Sequence, residues 1–145
     1  MPCSEEALSM AIETKLAVIL HADVVGSTAL VQKDEHLSHT RMRAVFNEFA
    51  EVIARSGGTT HEIRGDALVA EFVRASDAAV AALEFQATNR ANLDKISDEI
   101  RPELRIGIAL GEVIIADATV TGTGVVLAQR LEETLRQGSW RAGCC

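Results

Sequence analysis

The sequence predicts one α+β domain with the ferredoxin-like order βαββαβ, in which helices cover one face of an antiparallel or mixed sheet. Three patterns indicate this fold. An apolar run ends in an acid over Leu16–Asp23, apolar residues recur at helical spacing over Met42–Ile53, and apolar residues alternate with small or charged ones over Leu104–Leu110. With 145 residues, 48% of them hydrophobic, the chain can build one domain with a real core.

The first part of the chain divides into a strand and a long helix. Residues 1–14 form an acidic lead-in, and the strand after them runs into Gly26-Ser27-Thr28, where either hydroxyl residue can cap a helix. The amphipathic helix that follows ends at Gly57-Gly58, because glycine is the usual residue just beyond a helix C-terminus.

A hairpin and a second helix come next. The segments Thr59–Ile63 and Ala67–Val73 predict two strands with Asp66 at the turn between them. Ser76 or Asp77 can cap the helix that follows. Four small or apolar residues predict the helix face that lies on the sheet: Ala79, Val80, Leu83 and Ala87.

The last part of the chain predicts a second hairpin and a final helix. The alternating strand turns at Gly111-Glu112 into a further strand over Val113–Ala116. The glycine-threonine segment Thr121–Gly124 then leads into a helix that carries Arg130.

Composition excludes several classes of function. A formal charge of −7 and 3% aromatic residues argue against a nucleic-acid-binding protein, which needs a basic face and stacking rings. The longest apolar run, Leu16–Leu20, is too short to span a membrane, and Met1–Lys15 lacks the basic residues of a signal peptide. Cys3, Cys144 and Cys145 lie at the chain ends, so no disulfide framework is predicted and a reducing, cytoplasmic location is expected.

Two aspartates stand beside hydrophobic strands. Asp23 ends the first strand, and Asp66 directly precedes the apolar run Ala67–Ala70. If the two carboxylates sat about 4 Å apart, their repulsion would be about 4 kcal/mol at an effective dielectric near 20. A divalent metal with oxygen ligands would neutralise it. Each acid taken singly has an alternative interpretation as a turn or cap residue.

Over Leu16–Arg136 the chain resembles the class III adenylate and guanylate cyclases. The resemblance is carried, in order, by AVILHADVVGSTAL, by GGTTHEIRGDALVAEF with ASDAAVAALEFQ, and by LRIGIALGEV followed by GTGVVLAQRLE. It implies a palm-type cyclase homology domain over residues 15–137, which assembles as a head-to-tail homodimer. Each active site would then be completed by residues from both chains.

The resemblance also implies the chemistry of the site. Two Mg²⁺ or Mn²⁺ ions would be bound at Asp23, Val24 and Asp66, for conversion of ATP, or of GTP, to a 3′,5′-cyclic nucleotide and diphosphate. The other substrate-binding positions that it implies around the phosphates are Gly26, Ser27, Thr28 and Gly65.

The two base-selecting positions of the family disagree in this chain. Glu62 matches the glutamate of guanylate cyclases, and a carboxylate accepts hydrogen bonds from the N1 and N2 edge of guanine. Thr119 matches the threonine of a bacterial adenylate cyclase subgroup. We expect ATP as the substrate, because bacterial relatives of this type are mostly linked to cyclic AMP. The alternative for Glu62 is a solvated strand residue beside His61 and Arg64.

The chain departs from the family pattern at two places. The arginine that stabilises the transition state matches Arg130, but Val126 replaces the asparagine that binds the ribose and cannot donate a hydrogen bond. Arg130 has an alternative role as a surface salt-bridge residue. The family continues into more strands, whereas this sequence ends in GSWRAGCC, so we expect missing C-terminal strands and an irregular tail over residues 138–145.

These departures leave other functions open. One is a weak or inactive cyclase-homology module that acts in dimerisation and regulation. A more distant alternative is another palm-like two-metal domain, such as a diguanylate cyclase or a polymerase fragment. The acidic composition argues against a polymerase, and no GGDEF-like sequence is present.

Overall fold

The computed structural model describes residues 12–116 and 119–134. The strands are β1 (Ile12–Val24), β2 (Thr59–Arg64), β3 (Ala67–Phe72), β4 (Leu104–Ala116) and β5 (Thr119–Thr121). The helices are α1 (Ser27–Lys33), α2 (Glu35–Arg55), α3 (Ala75–Asp94) and α4 (Thr123–Thr134). The strands form one antiparallel sheet in the order β2-β3-β1-β4-β5, which confirms the predicted α+β class.

The apolar strand β1 lies in the centre of the sheet, because its residues are buried on both faces. It pairs with β3 on one side and with β4 on the other. The register sets Asp23 opposite Ala67 of β3 and opposite Arg105 of β4. The acid at the end of β1 therefore has neighbours from two strands that are far away in sequence.

One face of the sheet carries the larger part of the core, under α2 and α3. Phe49 of α2 stacks on Phe85 of α3 with ring centroids 4.3 Å apart, and both rings are fully buried. Burying one such ring contributes about 1.5–3 kcal/mol. The predicted helix over Met42–Ile53 is confirmed, since its apolar stripe faces this core.

The opposite face is covered by α4, so the expectation that helices cover one face is wrong. Residues on this face form a second apolar cluster: Ala17, Ile19, Val69, Val113, Val120 and Ala128. Two glycines of β4 allow the close approach. A Cβ on Gly107 would lie 2.0 Å from the Ala128 carbonyl oxygen, and one on Gly111 would lie 2.5 Å from Gly124 Cα.

The same contact corrects the predicted turn at Gly111-Glu112. β4 continues without a break from Leu104 to Ala116, and the hairpin is the one that joins β4 to β5. Gly111 is a place where a helix crosses a strand, which sequence alone does not distinguish from a turn.

The predicted sheet-facing stripe of α3 is also wrong. Val80 and Leu83 are 58% and 72% exposed, and the face toward the core is formed by Ala78, Ala81, Phe85, Asn89 and Leu93. The sequence pattern did not predict this face because the polar Asn89 interrupts it. The buried Asn89 amide donates to the Pro102 carbonyl at 3.3 Å. Neither predicted cap is used, since α3 begins after Arg74 with no side-chain cap.

Some sequence predictions fall beyond these residues. Residues 1–11, Leu135 and the tail over 138–145 lie outside the described part of the chain. β1 includes residues 12–14, which the sequence assigned to the lead-in. Within the described ranges, no helix combines the length and the apolar character needed to cross a membrane.

Candidate active site

Asp23 and Asp66 come to neighbouring strand ends. Asp66 occupies the turn between β2 and β3, and its main-chain carbonyl accepts a hydrogen bond of 3.0 Å from the Val24 amide. The next residue, Ala67, pairs with Asp23. The side chain of Asp66 is exposed and that of Asp23 is 21% exposed, so both carboxylates are open to solvent.

Ser27 has a different role from the predicted cap. Its hydroxyl donates to Asp66 Oδ2 at 2.6 Å, and no side chain caps α1. Gly26 precedes α1 with a φ of 62°, and Gly65 precedes Asp66 with a φ of 50°. Both glycines adopt the left-handed conformation that L-residues rarely take, so the loops that surround the acids depend on them.

Arg105 is a site residue that the sequence interpretation missed. Its Nη2 lies 2.9 and 3.0 Å from the two carboxylate oxygens of Asp23, and its Nε lies 3.1 Å from Oδ1. The guanidinium thus forms a bidentate ion pair with the Asp23 carboxylate, through Nε and Nη2. In the sequence, Arg105 is one polar member of an alternating strand, and its importance follows from the register with β1.

Glu132 is the second missed residue, on the sheet-facing side of α4. It is 1% exposed; its Oε1 lies 3.0 Å from Arg105 Nε, and its Oε2 lies 3.5 Å from Nδ1 of the buried His21. The pKa of Glu132 is raised to about 7, first by burial and then by the nearby Asp23 carboxylate, against the lowering effect of Arg105. Burial lowers the pKa of His21.

The strands that carry Glu62 and Thr119, the base-selecting positions that the resemblance implies, contact each other. β2 and β5 lie at opposite edges of the sheet, and their contact shows that the sheet curls. Glu62 of β2 is half-buried and forms an ion pair with Arg64. Thr119 of β5 is half-buried as well. The fold therefore brings strands together that the sequence separates by more than fifty residues.

Val126 and Arg130 lie on the outer face of α4. Both are exposed, whereas Ala128 and Glu132 are buried against the sheet. Successive helix residues are rotated by about 100°, so residues two apart project from nearly opposite sides. Arg130 consequently projects away from the face that contacts Asp23 of the same chain.

The donor atoms around the two acids suit a hard divalent cation. Asp23 and Asp66 offer carboxylate oxygens, and Val24, which follows Asp23 and donates its amide to the Asp66 carbonyl, offers its own main-chain carbonyl. Throughout residues 12–116 and 119–134, no group of three or more His, Cys, Asp or Glu side chains is placed to enclose a metal. Mg²⁺ usually binds through one or two carboxylates and keeps water or substrate phosphate as its other ligands, so these residues fit it.

An open cleft of about 870 Å³ borders the turn that carries Asp66. It lies between the first half of α2 and the β2–β3 hairpin. Its lining residues are Glu35, His36, His39, Thr40, Arg43, Ile63 and Gly65.

Comparison with known proteins finds bacterial relatives that match most of this chain. A relative from Rhizobium meliloti is 32% identical over 122 residues, covering 83% of this chain and 21% of that protein. An adenylate cyclase from Streptomyces coelicolor is 35% identical over 121 residues, covering 83% of this chain and 30% of that protein. The chain thus spans less than a third of either relative.

A solved structure matches over most of both chains. The crystal structure of an adenylate/guanylate cyclase/hydrolase from Silicibacter pomeroyi has a TM-score of 0.75 and 31% identity, covering 85% of this chain and 72% of that one. No protein-family model matches the sequence.

Proposed function

Since the chain belongs to the class III adenylate and guanylate cyclase family, we propose that it converts ATP to 3′,5′-cyclic AMP and diphosphate. The observation that carries the proposal is the placement of Asp23 and Asp66 at neighbouring strand ends, which the hydrogen bond from the Val24 amide to the Asp66 carbonyl holds together. In the reaction, the ribose O3′ forms a bond to the α-phosphorus, the bond from that phosphorus to the bridging oxygen breaks, and diphosphate leaves. The proton of the 3′-hydroxyl passes to water.

Asp23, Asp66 and the Val24 carbonyl would hold two Mg²⁺ or Mn²⁺ ions. These ions would supply positive charge to the triphosphate and favour the ionised 3′-hydroxyl. Ser27 orients the Asp66 carboxylate through its hydroxyl. The uncapped first N–H groups of α1, at Ser27 and Thr28, would face the phosphates beside Gly26.

We place the substrate between two copies of the chain, in a head-to-tail homodimer. Arg130 and Val126 project away from Asp23 of their own chain, so they would serve the site of a partner. α4 also exposes three large apolar side chains that a partner would cover: Val126, Leu127 and Leu131. A nucleoside triphosphate substrate and a chain with cysteines only at its ends fit a cytoplasmic location.

Two alternatives have specific observations in their favour. Glu62 favours GTP, since a carboxylate accepts hydrogen bonds from the N1 and N2 edge of guanine and Glu62 is half-buried on the strand that contacts β5. Val126 favours a weak or inactive regulatory module, since valine offers no hydrogen bond to the ribose or to developing charge.

The test is cyclic nucleotide formation by the purified chain with ATP or GTP and excess Mn²⁺. We expect cyclic AMP from the unaltered chain and at least about a hundredfold less from Asp66→Asn. Asp98→Asn is the matched control, because Asp98 is an exposed acid that pairs with Arg41 away from the site. More cyclic GMP than cyclic AMP would support the Glu62 alternative. Nucleotide binding without product would support the regulatory module.

A further inference from the structure

Arg105 is shared between two carboxylates of different character. Its Nε is 3.1 Å from Asp23 Oδ1 and 3.0 Å from Glu132 Oε1, while Nη2 contacts both oxygens of Asp23. Asp23 is partly exposed and stands in the proposed metal site, whereas Glu132 is buried behind it. One guanidinium therefore holds a candidate metal ligand and a buried acid at nearly equal distance.

Glu132 has unused capacity to accept hydrogen bonds. Its Oε1 is within ion-pair distance of Arg105 but makes no hydrogen bond of acceptable geometry in the described part of the chain. His21 Nδ1, which lies 3.5 Å from Glu132 Oε2, has no such bond either in the described part of the chain. A carboxylate buried to this degree is costly without a cation, so Glu132 would gain from a closer Arg105.

A divalent ion at Asp23 would compete with the present arrangement. The carboxylate oxygens that would bind the ion already accept from Arg105, and two cations at one carboxylate repel each other. We propose that Arg105 is the counter-cation of Asp23 in the metal-free chain and passes to Glu132 when a divalent ion binds. This inference rests on the metal site of the proposed function.

The fold keeps both partners within reach of Arg105. The β1–β4 register holds Asp23 directly opposite Arg105. Gly107 lets α4 lie against β4, which brings Glu132 over the same point of the sheet. A rotation of the arginine side chain suffices for the transfer, and no strand has to move. Arg105 and Glu132 are thus positioning residues that set the metal affinity of Asp23.

The first test is Mn²⁺ binding to the full chain without nucleotide, measured from the electron paramagnetic resonance signal of free Mn²⁺. Arg105→Gln removes the competing cation, so we expect binding at least about tenfold tighter. Glu132→Gln removes the alternative partner of Arg105, so we expect binding several-fold weaker. Asp23→Asn should abolish the site. Circular dichroism and thermal melting establish that each variant is folded.

The matched control is Arg41→Gln. Arg41 makes a similar two-pronged contact with Asp98, so the variant removes the same charge from an Arg–Asp pair elsewhere in the chain. We expect its Mn²⁺ affinity to stay within about twofold of the unaltered chain, because the two sites are screened from each other.

The second test follows the arginine side chain directly in the unaltered chain, and a variant is needed only to assign its resonance. In the ¹⁵N-labelled chain, Mg²⁺ should shift the Nε–H resonance of Arg105 and leave that of Arg41 unchanged. Arg105→Gln identifies the resonance by its loss; if that variant is unfolded, Arg105→Lys serves. A saturating Mg²⁺ titration that leaves the Arg105 signal in place would overturn the transfer.

The outcomes separate this inference from the proposed function. Mn²⁺ binding that depends on Asp23 but is unchanged or weaker in folded Arg105→Gln overturns the transfer and leaves the metal site standing. No Mn²⁺ binding by any variant overturns both. Binding that appears or strengthens in Arg105→Gln and is lost in the Asp23→Asn background supports both.

Discussion

In the proposed site, Val126 stands at the position where the family pattern has an asparagine, and valine supplies no hydrogen-bond donor. It is 46% exposed on α4, so a polar side chain of similar size fits there without disturbing the core. Because removing one donor of this kind costs about 10²–10³ in turnover, we expect Val126→Asn to raise kcat for cyclic AMP formation by about 10². The measurement is steady-state product formation with saturating ATP and Mn²⁺.

The control for this substitution is Val80→Asn, which makes the same change at a position on α3 that is 58% exposed and outside the proposed site. Equal rates for the two variants would show that Val126 does not occupy a catalytic position.

Glu71 links β1, β2 and β3 through two cationic or polar neighbours. Lys15 Nζ and His61 Nε2 each lie 2.7 Å from a different oxygen of its carboxylate. Burial raises the pKa of Glu71, but the hydrogen bonds and charges of Lys15 and His61 outweigh it and lower the pKa below 4.5. The unfolded chain therefore binds this proton more readily than the folded chain does.

The sign of the pH effect follows from that difference. The ionised Glu71 carboxylate contributes to the free energy of unfolding. This contribution is present above pH 4.5 and is lost as the pH falls through the lowered pKa. We expect the free energy of unfolding in urea to fall less between neutral pH and pH about 3.5 in Glu71→Gln than in the unaltered chain. In the control Glu51→Gln, at an exposed position on α2, the free energy of unfolding should fall as much as in the unaltered chain.

Sequence interpretation at this scale located residues by their position along a strand. Asp23 and Asp66 were placed at strand ends because each adjoins an apolar run, and the structure has them there, while their role as metal ligands stays a prediction. Arg105 and Glu132 were missed because their partners are set by strand register and by the packing of α4 against β4. Both depend on residues that are distant in sequence. Among acids near the chain end, nothing in the local pattern marks Glu132 as buried.

At the scale of elements, the absence of a side chain at Gly107 allows α4 to pack closely against β4. A methyl group on Gly107 would collide with backbone atoms of α4, at 2.0 Å from the Ala128 oxygen and 2.7 Å from the Glu132 nitrogen. Backbone cannot rotate away as a side chain can, so α4 must lift from the sheet. We expect Gly107→Ala to lower the free energy of unfolding by about 3 kcal/mol or more, measured by urea denaturation.

Gly57→Ala separates this clash from the general effect of replacing glycine. Gly57 has a φ of 84° and nothing within 4 Å of an added Cβ, so it should cost only the conformational strain of about 1–2 kcal/mol. If Gly107→Ala costs no more than Gly57→Ala, the close approach of α4 to β4 is not a source of stability.

The elements themselves were largely predictable, because their local patterns are strong. α2 has an apolar stripe and a glycine stop, and the β2–β3 hairpin has a short polar turn. The errors concern contacts between elements. Gly111 was interpreted as a turn, and the buried face of α3 was misjudged because Asn89 interrupts its apolar pattern.

At the scale of the molecule, strand order and curl were beyond local patterns. β1 pairs with strands that follow it by more than forty and eighty residues, and β2 contacts β5 across the sheet. Such pairing depends on which strand order lets helices bury the apolar residues of the sheet. Both faces of this sheet carry apolar residues that helices bury. The expectation that two chains build the site together came from the resemblance to a known family and not from periodicity, and it stays a prediction.

The proposed dimer predicts recovery of activity when two inactive variants are mixed. Asp66→Asn disables the metal half of a site, and Arg130→Ala disables the half that projects outward from α4. In a mixed head-to-tail dimer one site carries both defects and the other carries neither. Random exchange should therefore restore about a quarter of the original activity. Mixing Asp66→Asn with Asp23→Asn should restore none, because both changes affect the same half. Recovery in neither mixture, when the chains are shown to exchange, would mean that each chain builds its site from its own residues. An Arg130→Ala chain that is fully active by itself would place Arg130 outside the site.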